Sequence, residues 1–513
     1  MAVSLAATLL AAGCGAGEET SATAPAADAQ VDPNAVLKVA ASAPTRNLDP
    51  YLQTSYGGWG YISAVYDRLV LVDDKDKLVP GVATSWEFAK DGSSLELKLR
   101  DDVKFHDGTP FDAAAVAANI KRGQTLKGST VVAALKDVTS VDVVNPTTAR
   151  LNLAKGTGVD LPGLFSTNVG MMISPKVIEA GTDIQNQPGN AGSGPYLVSS
   201  YTPGEKLSLK KAPGTYWDPK AGRLGGIELQ WTADASTRLN GTRTGATDLT
   251  WVSSANELVQ AKDLAKQGGL VVNTVEFRNV LSVMLRARGD LAKPEIREAV
   301  ARAVNPQAIS ALFSDTCSPY RQLEPSSSWA TDQGYQYPYA YDEAKAKELV
   351  AANGPAKIAL TFGAGTNTEQ PANVIQSELS KVGFNAELNP VPNTVNEPRY
   401  IAGDFEAMVT NSYSPKVDPA ETVKTFVTGA YKMGNDNPEI LKLAAEASDP
   451  TKSQDERGAL YKKIWSLTLD EALVIPICHQ TNATVASPKV IGADNMPWVN
   501  TGIFDLRYVA MTS

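Results

Sequence analysis

The chain has 513 residues, of which 43% are hydrophobic and 20% charged, so a globular fold with a large buried core is expected and global disorder is excluded. Its formal net charge of -9 disfavours nucleic acid as a partner, because proteins that bind nucleic acid usually carry a basic surface. Two histidines and three cysteines, in no ligand-like spacing, predict no metal site, and the composition points to no cofactor. No apolar run reaches the ~20 residues that a membrane-spanning helix needs.

The first 35 residues have the composition of an export signal followed by a tether. Residues 1–13 are uncharged and apolar, end in small residues and are followed at once by Cys14. The run Leu10-Ala11-Ala12-Gly13-Cys14 resembles the bacterial lipobox, although no lysine or arginine precedes it. We therefore predict a signal over 1–14, lipidation of Cys14 and a flexible tether over 15–35. The alternative is a frayed apolar N-terminus with an incidental cysteine.

Strand and helix patterns alternate along the rest of the chain. Residues 36–41 have the pattern of an opening strand, and residues 95–99 alternate apolar and polar positions as a half-buried strand does. A strand over 357–362, an amphipathic helix over 369–382 and a strand over 385–391 predict one βαβ unit with a parallel strand pair. Further helices are predicted over 113–122, 294–313, 342–354, 438–448 and 454–471, and a further buried strand over 474–477. The mixture predicts an α/β or α+β fold of more than one domain.

Residues 78–111 carry the most specific motif, LVPGVATSWEFAKDGSSLELKLRDDVKFHDGTPF. This block closely resembles the signature of the extracellular solute-binding proteins of family 5, the oligopeptide- and dipeptide-binding components of ABC importers. The resemblance extends from residue 36 to the C-terminus. Further landmarks follow in the order typical of that family: Leu48-Asp49-Pro50, Gly192-Ser193-Gly194-Pro195-Tyr196, Gly245 with Asp248, Ile296-Arg297-Glu298-Ala299, Ala303-Val304-Asn305, Tyr341-Asp342 and Gly383-Phe384.

The resemblance implies an α/β periplasmic-binding-protein fold of class II, with three domains arranged as two lobes. Domain I would comprise residues 36–67, 194–278 and 480–513, domain II the insertion 68–193, and domain III residues 279–479. Two strands would cross between domains I and III as a hinge, and a solute would be buried in the cleft when the lobes close. The expected protein is an extracytoplasmic monomer, anchored to the membrane by its lipid. It would have no catalytic step and would deliver the solute to the permease and ATPase subunits of an ABC importer.

Residues 411–419 (NSYSPKVDP) carry the most information about the ligand. In peptide-binding relatives an aspartate four residues before this final proline pairs with the α-ammonium of the ligand, but here that position is Pro415. A buried amine without a counter-charge is costly, so the segment disfavours a free-amine peptide. Asn411 and Tyr413 offer neutral hydrogen-bonding groups and a ring face, and we predict a polar solute, either a peptide, an oligosaccharide or a conjugate. Asp418 is the nearest acid, but in the family this residue more often serves the turn.

Six further side chains are candidate ligand contacts by their position: Arg46, Tyr56, Trp59, Trp251, Arg286 and His479. The two arginines in a closed cleft would favour an anionic group through paired hydrogen bonds. The aromatic rings would instead suit sugar faces, and His479 adjoins the second hinge strand. For each of the six, packing or exposure to solvent explains the residue at least as well as ligand contact.

Cys317 and Cys478 are the only cysteines of the exported body. An exported protein meets an oxidising environment, and the resemblance places both cysteines in domain III, so we predict a disulfide between them. Two separate buried thiols are the alternative.

Two other classes of function are open at this point. The first is an exported hydrolase on an α/β scaffold, although the chain has no G-x-S-x-G elbow and only two histidines, His106 and His479. The second is a surface protein of the same fold that binds a macromolecule or reports its ligand to a sensor. A dinucleotide site at Gly363-Ala364-Gly365 is disfavoured, because Thr368 occupies the place of the third glycine.

Overall fold

The structure is a computed structural model that describes residues 29–54, 56–73, 75–252, 254–314, 316–494, 498–499 and 503–513. Cys14, the predicted signal and most of the predicted tether lie outside these residues, as does the side chain of Tyr56. In the described ranges, no helix combines the length and the apolar composition needed to cross a bilayer.

Strands and helices alternate over the described chain, which confirms the α/β class. The strands are β1 Val36–Ala41, β2 Val70–Val72, β3 Leu78–Pro80, β4 Ala83–Phe88, β5 Ser94–Leu99, β6 Val138–Asn145, β7 Thr148–Leu153, β8 Tyr196–Thr202, β9 Lys206–Lys211, β10 Gly226–Trp231, β11 Leu249–Val252, β12 Val271–Leu285, β13 Cys317–Pro319, β14 Lys357–Gly363, β15 Asn385–Val391, β16 Ala407–Tyr413, β17 Val474–Ala486, β18 Val490–Ile491, β19 Trp498–Val499, β20 Ile503–Phe504 and β21 Ala510–Met511. The helices are α1 Tyr56–Ile62, α2 Ala113–Thr125, α3 Val132–Leu135, α4 Leu161–Leu164, α5 Pro175–Glu179, α6 Ala235–Thr244, α7 Ala255–Lys266, α8 Pro294–Ala303, α9 Pro306–Leu312, α10 Glu343–Asn353, α11 Glu369–Lys381, α12 Asn393–Ala402, α13 Pro419–Thr422, α14 Pro438–Ala447 and α15 Gln454–Asp470.

Two long antiparallel strands, β12 and β17, run through the middle of the largest sheet. The order of this sheet is β15-β14-β16-β12-β17-β11-β1-β10-β9-β8, with β13 paired to β17 off this path. Residues 271–276 pair with 481–486, residues 280–284 pair with 474–479, and the register is irregular between these two stretches. β12 and β17 therefore belong to both halves of the sheet and form the hinge between two lobes.

The first lobe is built on the half of the sheet that contains β1, β10 and β11. β1 lies between β10 and β11 and is parallel to both, and its residues Leu37, Val39 and Ala41 are buried in the core. The four-stranded sheet β4-β5-β7-β6 comes entirely from residues 68–193, the predicted insertion, and packs with α2 around its own core. A buried ion pair between Arg68 and Asp505 joins this insertion to the C-terminal segment.

The second lobe contains the predicted βαβ unit. β14 and β15 pair in parallel, and α11 between them buries Ala372, Ile375 and Leu379 against the sheet. The helix predicted over 294–313 is wrong as a single element, because Val304 is extended and α8 and α9 are separate. Asn305 caps the second of them by accepting hydrogen bonds from two backbone N–H groups, and Pro306 fits the first turn because it has no N–H to satisfy.

The lobes are in contact along the edge away from the hinge. The Nζ atom of Lys424, in the second lobe, lies 2.9 Å from both carboxylate oxygens of Asp160 in the insertion. Nearer the hinge, an Arg278 nitrogen lies 2.7 Å from the carboxylate of Asp76, and the Ser327 hydroxyl donates to the same carboxylate at 3.2 Å. The structure is therefore closed on this side.

Candidate functional site

The candidate site lies where the two lobes present the carboxyl ends of their parallel strands to the hinge. In the first lobe, Val252 at the end of β11 pairs with Ala483, close to the irregular middle of β17. In the second lobe, Tyr413 at the end of β16 pairs with Val280, just beyond the irregular stretch of β12. Ligands of open α/β sheets bind at the carboxyl ends of the strands, and here two such edges face the same hinge.

Aromatic side chains occupy this edge of the first lobe. The ring of Tyr61 lies 5.2 Å from that of Trp231 and 5.8 Å from that of Trp251, between centroids. Trp59 is half-buried beside the same core and donates its indole N–H to the Gln53 carbonyl at 3.3 Å. The predicted residues Trp59 and Trp251 thus both pack against the core of the first lobe, and the Trp251 ring also lies beside that of Tyr61.

A polar cavity of about 310 Å³ occupies the facing edge of the second lobe. It opens between the end of β14, the end of β16 and the first turns of α11 and α12. No apolar side chain is among the residues that line it: Thr366, Asn367, Thr368, Asn393, Asn396, Glu397, Thr410, Asn411 and Ser412. Such a lining offers hydrogen bonds to a polar solute and little apolar contact.

A chain of amide hydrogen bonds connects this cavity to both hinge strands. The Asn279 amide, on β12, donates to the Asn411 carbonyl at 2.9 Å. The Asn411 amide donates to Oδ1 of Asn367 at 3.4 Å, and the Asn367 amide donates to Oε1 of Gln480, on β17, at 3.3 Å. A change in hinge angle would therefore alter the positions of groups that line the cavity.

Glu397 is the only acidic side chain in the cavity lining. Burial raises the pKa of its carboxyl, whereas the Ser412 hydroxyl and the positive charge of Lys416 act in the opposite direction. The neighbouring Asn396 is 7% exposed, and its Oδ1 atom has no hydrogen-bond partner among the described residues. The lining thus includes one residue, Asn396, whose buried amide oxygen has no partner among the described residues, and one acid, Glu397, on which Ser412 and Lys416 act.

The structure places the remaining predicted contacts in different environments. Asn411 lines the cavity, whereas Arg46 is exposed in the loop after β1. Tyr413 is fully buried and packs on Phe426 with 4.7 Å between ring centroids, so its ring belongs to the core of the second lobe. His479 is 1% exposed in β17, with its ring 4.5 Å from that of Tyr320.

Arg286 lies at the end of β12 that points away from the hinge. Its guanidinium donates to the Tyr400 carbonyl at 2.7 Å and lies 4.5 Å above the Tyr400 ring. Its backbone N–H donates to the Glu406 carbonyl at 2.8 Å, beside the start of β16. This placement favours the packing interpretation of Arg286 and leaves it out of the site that we propose.

The structure joins Cys317 and Cys478 in a disulfide, with their Cα atoms 5.4 Å apart. Cys317 begins β13, which pairs with β17 beside the hinge. The bond therefore attaches the long connection after α9 to a hinge strand. Among the described residues, no group of three or more His, Cys, Asp or Glu side chains is arranged to hold a metal ion.

Sequence reasoning missed most of the cavity. Asn367 and Thr368 belong to the turn after β14, where the sequence analysis weighed only a dinucleotide site and disfavoured it. Asn396 and Glu397 stand on α12, a helix that was not predicted. The available signal was the βαβ pattern itself, because the turn after a parallel strand lies at the carboxyl edge of the sheet. Applied to the Gly363-to-Thr368 turn, that rule indicates a binding edge without requiring a nucleotide motif.

Two lobes on a two-strand hinge, with a polar cavity at the edge where they meet, define a solute-binding protein of the periplasmic type. The sequence model for bacterial extracellular solute-binding proteins, family 5 (middle region), matches residues 77–434, and the chain belongs to this family. The resemblance inferred from residues 78–111 is thus confirmed. Family membership also supports solute binding over the exported hydrolase, because the proteins of this family are binding proteins.

Similar proteins agree with this assignment. The chain is 25% identical over 478 residues to the glutathione-binding protein GsiB of Escherichia coli (strain K12), covering 88% of this chain and 90% of that protein. It superposes on NikA from Brucella suis in complex with Fe(III)-EDTA with a TM-score of 0.81 and 23% identity, covering 94% of this chain and 100% of that chain. DppA from Helicobacter pylori, in complex with peptide STSA, gives a TM-score of 0.74 and 21% identity over 94% of this chain and 98% of that chain. These structures confirm the two-lobe fold.

Proposed function

We propose that this protein captures a polar solute between the aromatic edge of its first lobe and the polar cavity of its second lobe, and delivers it to an ABC importer. The observation that carries this proposal is the amide chain from Asn279 through Asn411 and Asn367 to Gln480. It connects the cavity lining to both hinge strands, so a bound solute stabilises one hinge angle over others. A permease can then distinguish loaded from empty protein by shape.

The proposal extends to the position of the protein in the cell. Cys14 would carry the lipid that holds the protein at the outer face of the membrane, with residues 15–35 as the tether. The partners would be the permease and ATPase subunits of the importer, and the protein would act as a monomer without catalysis. The predicted domain boundaries, 36–67 with 194–278 and 480–513, 68–193, and 279–479, are part of the same proposal.

The names of similar proteins suggest the first solutes to test. Glutathione and short peptides are polar and fit the hydrogen-bonding character of the cavity lining. We expect native mass spectrometry of protein purified without denaturation to show one solute per chain. Isothermal titration with glutathione, the tetrapeptide STSA and an oligosaccharide panel would then give the affinity for each class.

A pair of asparagine variants tests the location of the site. Asn367→Ala removes a group that lines the cavity and bonds to the hinge, and we expect it to weaken solute binding by about tenfold. Asn373→Ala is the matched control, because Asn373 is exposed on α11 and does not line the cavity. Equal effects of the two variants, or no bound solute of any class, would contradict the proposal.

A further inference from the structure

The two lobes are joined by packed contacts that lie outside the polar cavity. Val159 comes from the insertion of the first lobe, yet it is 4% exposed and packs in a hydrophobic cluster whose other buried members all lie between residues 280 and 474 of the second lobe. The neighbouring Asp160 is also buried, and both of its carboxylate oxygens accept hydrogen bonds from Nζ of Lys424, in the second lobe, at 2.9 Å. A buried carboxylate requires a counter-charge, so an ion pair and an apolar contact hold the lobes together at the same place.

Gly163, in α4, comes closer to the second lobe than a side chain would allow. A Cβ atom at this position would lie 3.2 Å from the Cβ atom of Asp418 and 3.4 Å from its backbone nitrogen, at the start of α13. Outside α4 and the chain neighbours of Gly163, the three atoms nearest to that position all belong to Asp418. The φ angle of Gly163 is not positive, so its backbone does not itself require glycine. The missing side chain therefore matters for the approach of the two lobes.

Asp418 is held firmly from within the second lobe. Its carboxylate accepts a hydrogen bond from the backbone N–H of Ala420 at 2.9 Å and pairs with Arg457 at 2.5 Å. Arg457 in turn donates to the Ala447 carbonyl at 3.1 Å and to the Tyr461 hydroxyl at 3.0 Å. A methyl group added at position 163 would therefore separate the lobes more readily than it would move Asp418.

We propose that residues 159–163 and 418–424 form an interlobe clasp that closes without solute and must open before a captured solute can leave, with Gly163 as the positioning residue that permits its close approach. Every contact in the clasp is between protein groups, so no solute is needed to form it. None of its residues lines the polar cavity. Its effect on solute release rests on the proposed function, whereas the closure of the empty protein does not.

Labelling of Val159→Cys tests the clasp in the absence of solute. The introduced thiol is covered by the second lobe in the clasp and becomes accessible when the lobes separate. We expect iodoacetamide to modify it at least about tenfold more slowly than the thiol of Val143→Cys, which is at an exposed position of β6 in the same insertion. Peptide-resolved mass spectrometry gives both rates on the full chain after extensive dialysis, with native mass spectrometry confirming that it is empty. Equal rates for the two thiols would overturn the clasp.

Gly163→Ala, combined with Val159→Cys, tests the role of the glycine. The added methyl group meets Asp418 only when the clasp is closed, so we expect the labelling rate to rise at least about fivefold. Gly241→Ala is the matched control, because this helical glycine lies in α6 and its Cβ would meet only Thr247 of the same lobe, at 3.4 Å. It should leave the labelling rate unchanged. A rate that Gly163→Ala does not raise would refute the assignment of Gly163.

Release of solute connects the clasp to the proposed function. Gly163→Ala should raise the dissociation rates of glutathione and the tetrapeptide STSA by the same factor, about tenfold, because both solutes leave through one opening step. Stopped-flow dilution measures these rates, and factors that differ more than about threefold would contradict a shared opening step. If no solute of any class binds, the proposed function fails, while the labelling rates still decide whether the clasp exists.

Discussion

Glu324 makes a testable contribution to the pH dependence of stability. It lies at the junction of the second lobe with the hinge, is 1% exposed, and neither of its carboxyl oxygens has a hydrogen-bond partner among the described residues. Burial raises the pKa of this carboxyl from 4.5 to about 8. The nearby Ser328 hydroxyl and the Arg278 guanidinium lower this pKa, but they offset the effect of burial only in part. The folded protein therefore holds a proton here that the unfolded chain has released at neutral pH.

The sign and size of the effect follow from that difference. A carboxyl whose folded pKa is raised contributes its full stability below the unfolded pKa and loses it as the pH rises towards the folded value. The loss is about 1.4 kcal/mol per pH unit. Between about pH 5 and about pH 7.5, Glu324 should thus lower the free energy of unfolding by roughly 3 kcal/mol.

The substitution Glu324→Gln isolates this contribution, because glutamine has nearly the same shape and stays neutral. We expect the stability advantage of the variant over wild-type protein to be small at about pH 5 and to grow by roughly 3 kcal/mol between about pH 5 and about pH 7.5. Urea titrations followed by tryptophan fluorescence at both pH values measure the difference. Glu179→Gln, at an exposed position in α5, is the control and should keep the wild-type pH dependence. Identical pH slopes for wild-type protein and Glu324→Gln would refute the reasoning.

Two further predictions concern the disulfide and the contact between the lobes. Replacing Cys317 and Cys478 together by serine opens a link that spans 161 residues and should lower the free energy of unfolding by about 2–5 kcal/mol; a urea midpoint equal to that of wild-type protein would contradict this. Lys424→Met removes the ion pair with Asp160 that joins the two lobes. The pair is worth about 1 kcal/mol, because the lysine is partly exposed. Without this pair the lobes should separate more often, so small-angle scattering of the solute-free variant should give a larger radius of gyration. Lys442→Met, which alters an exposed pair within α14, should leave the scattering curve unchanged.

Local patterns in the sequence were sufficient for the family and for several of the elements, although they joined α8 to α9 and missed α12. The βαβ unit over 357–391 was predicted because its apolar positions repeat with the periods of a strand and a helix, and these periods depend only on backbone geometry. The block over 78–111 identified the family because its turns and core positions are contiguous along the chain. Its residues Phe105 and Phe111 stack in the core of the insertion, with 4.9 Å between their ring centroids, so this part of the motif packs the insertion.

The candidate site depended on contacts that no local pattern encodes. Arg286 and Asn411 were equally good candidates along the chain, yet β12 carries one to the far end of the sheet and β16 brings the other to the hinge. Asn396 and Glu397 had no sequence signal, because they belong to a cavity lined by three segments that are separate in the chain. The sequence by itself determined the family, the βαβ unit and the pairing partners available to two cysteines. Only the tertiary structure decided which polar groups are withdrawn from water together, since desolvation depends on the packing of residues that are distant in the chain.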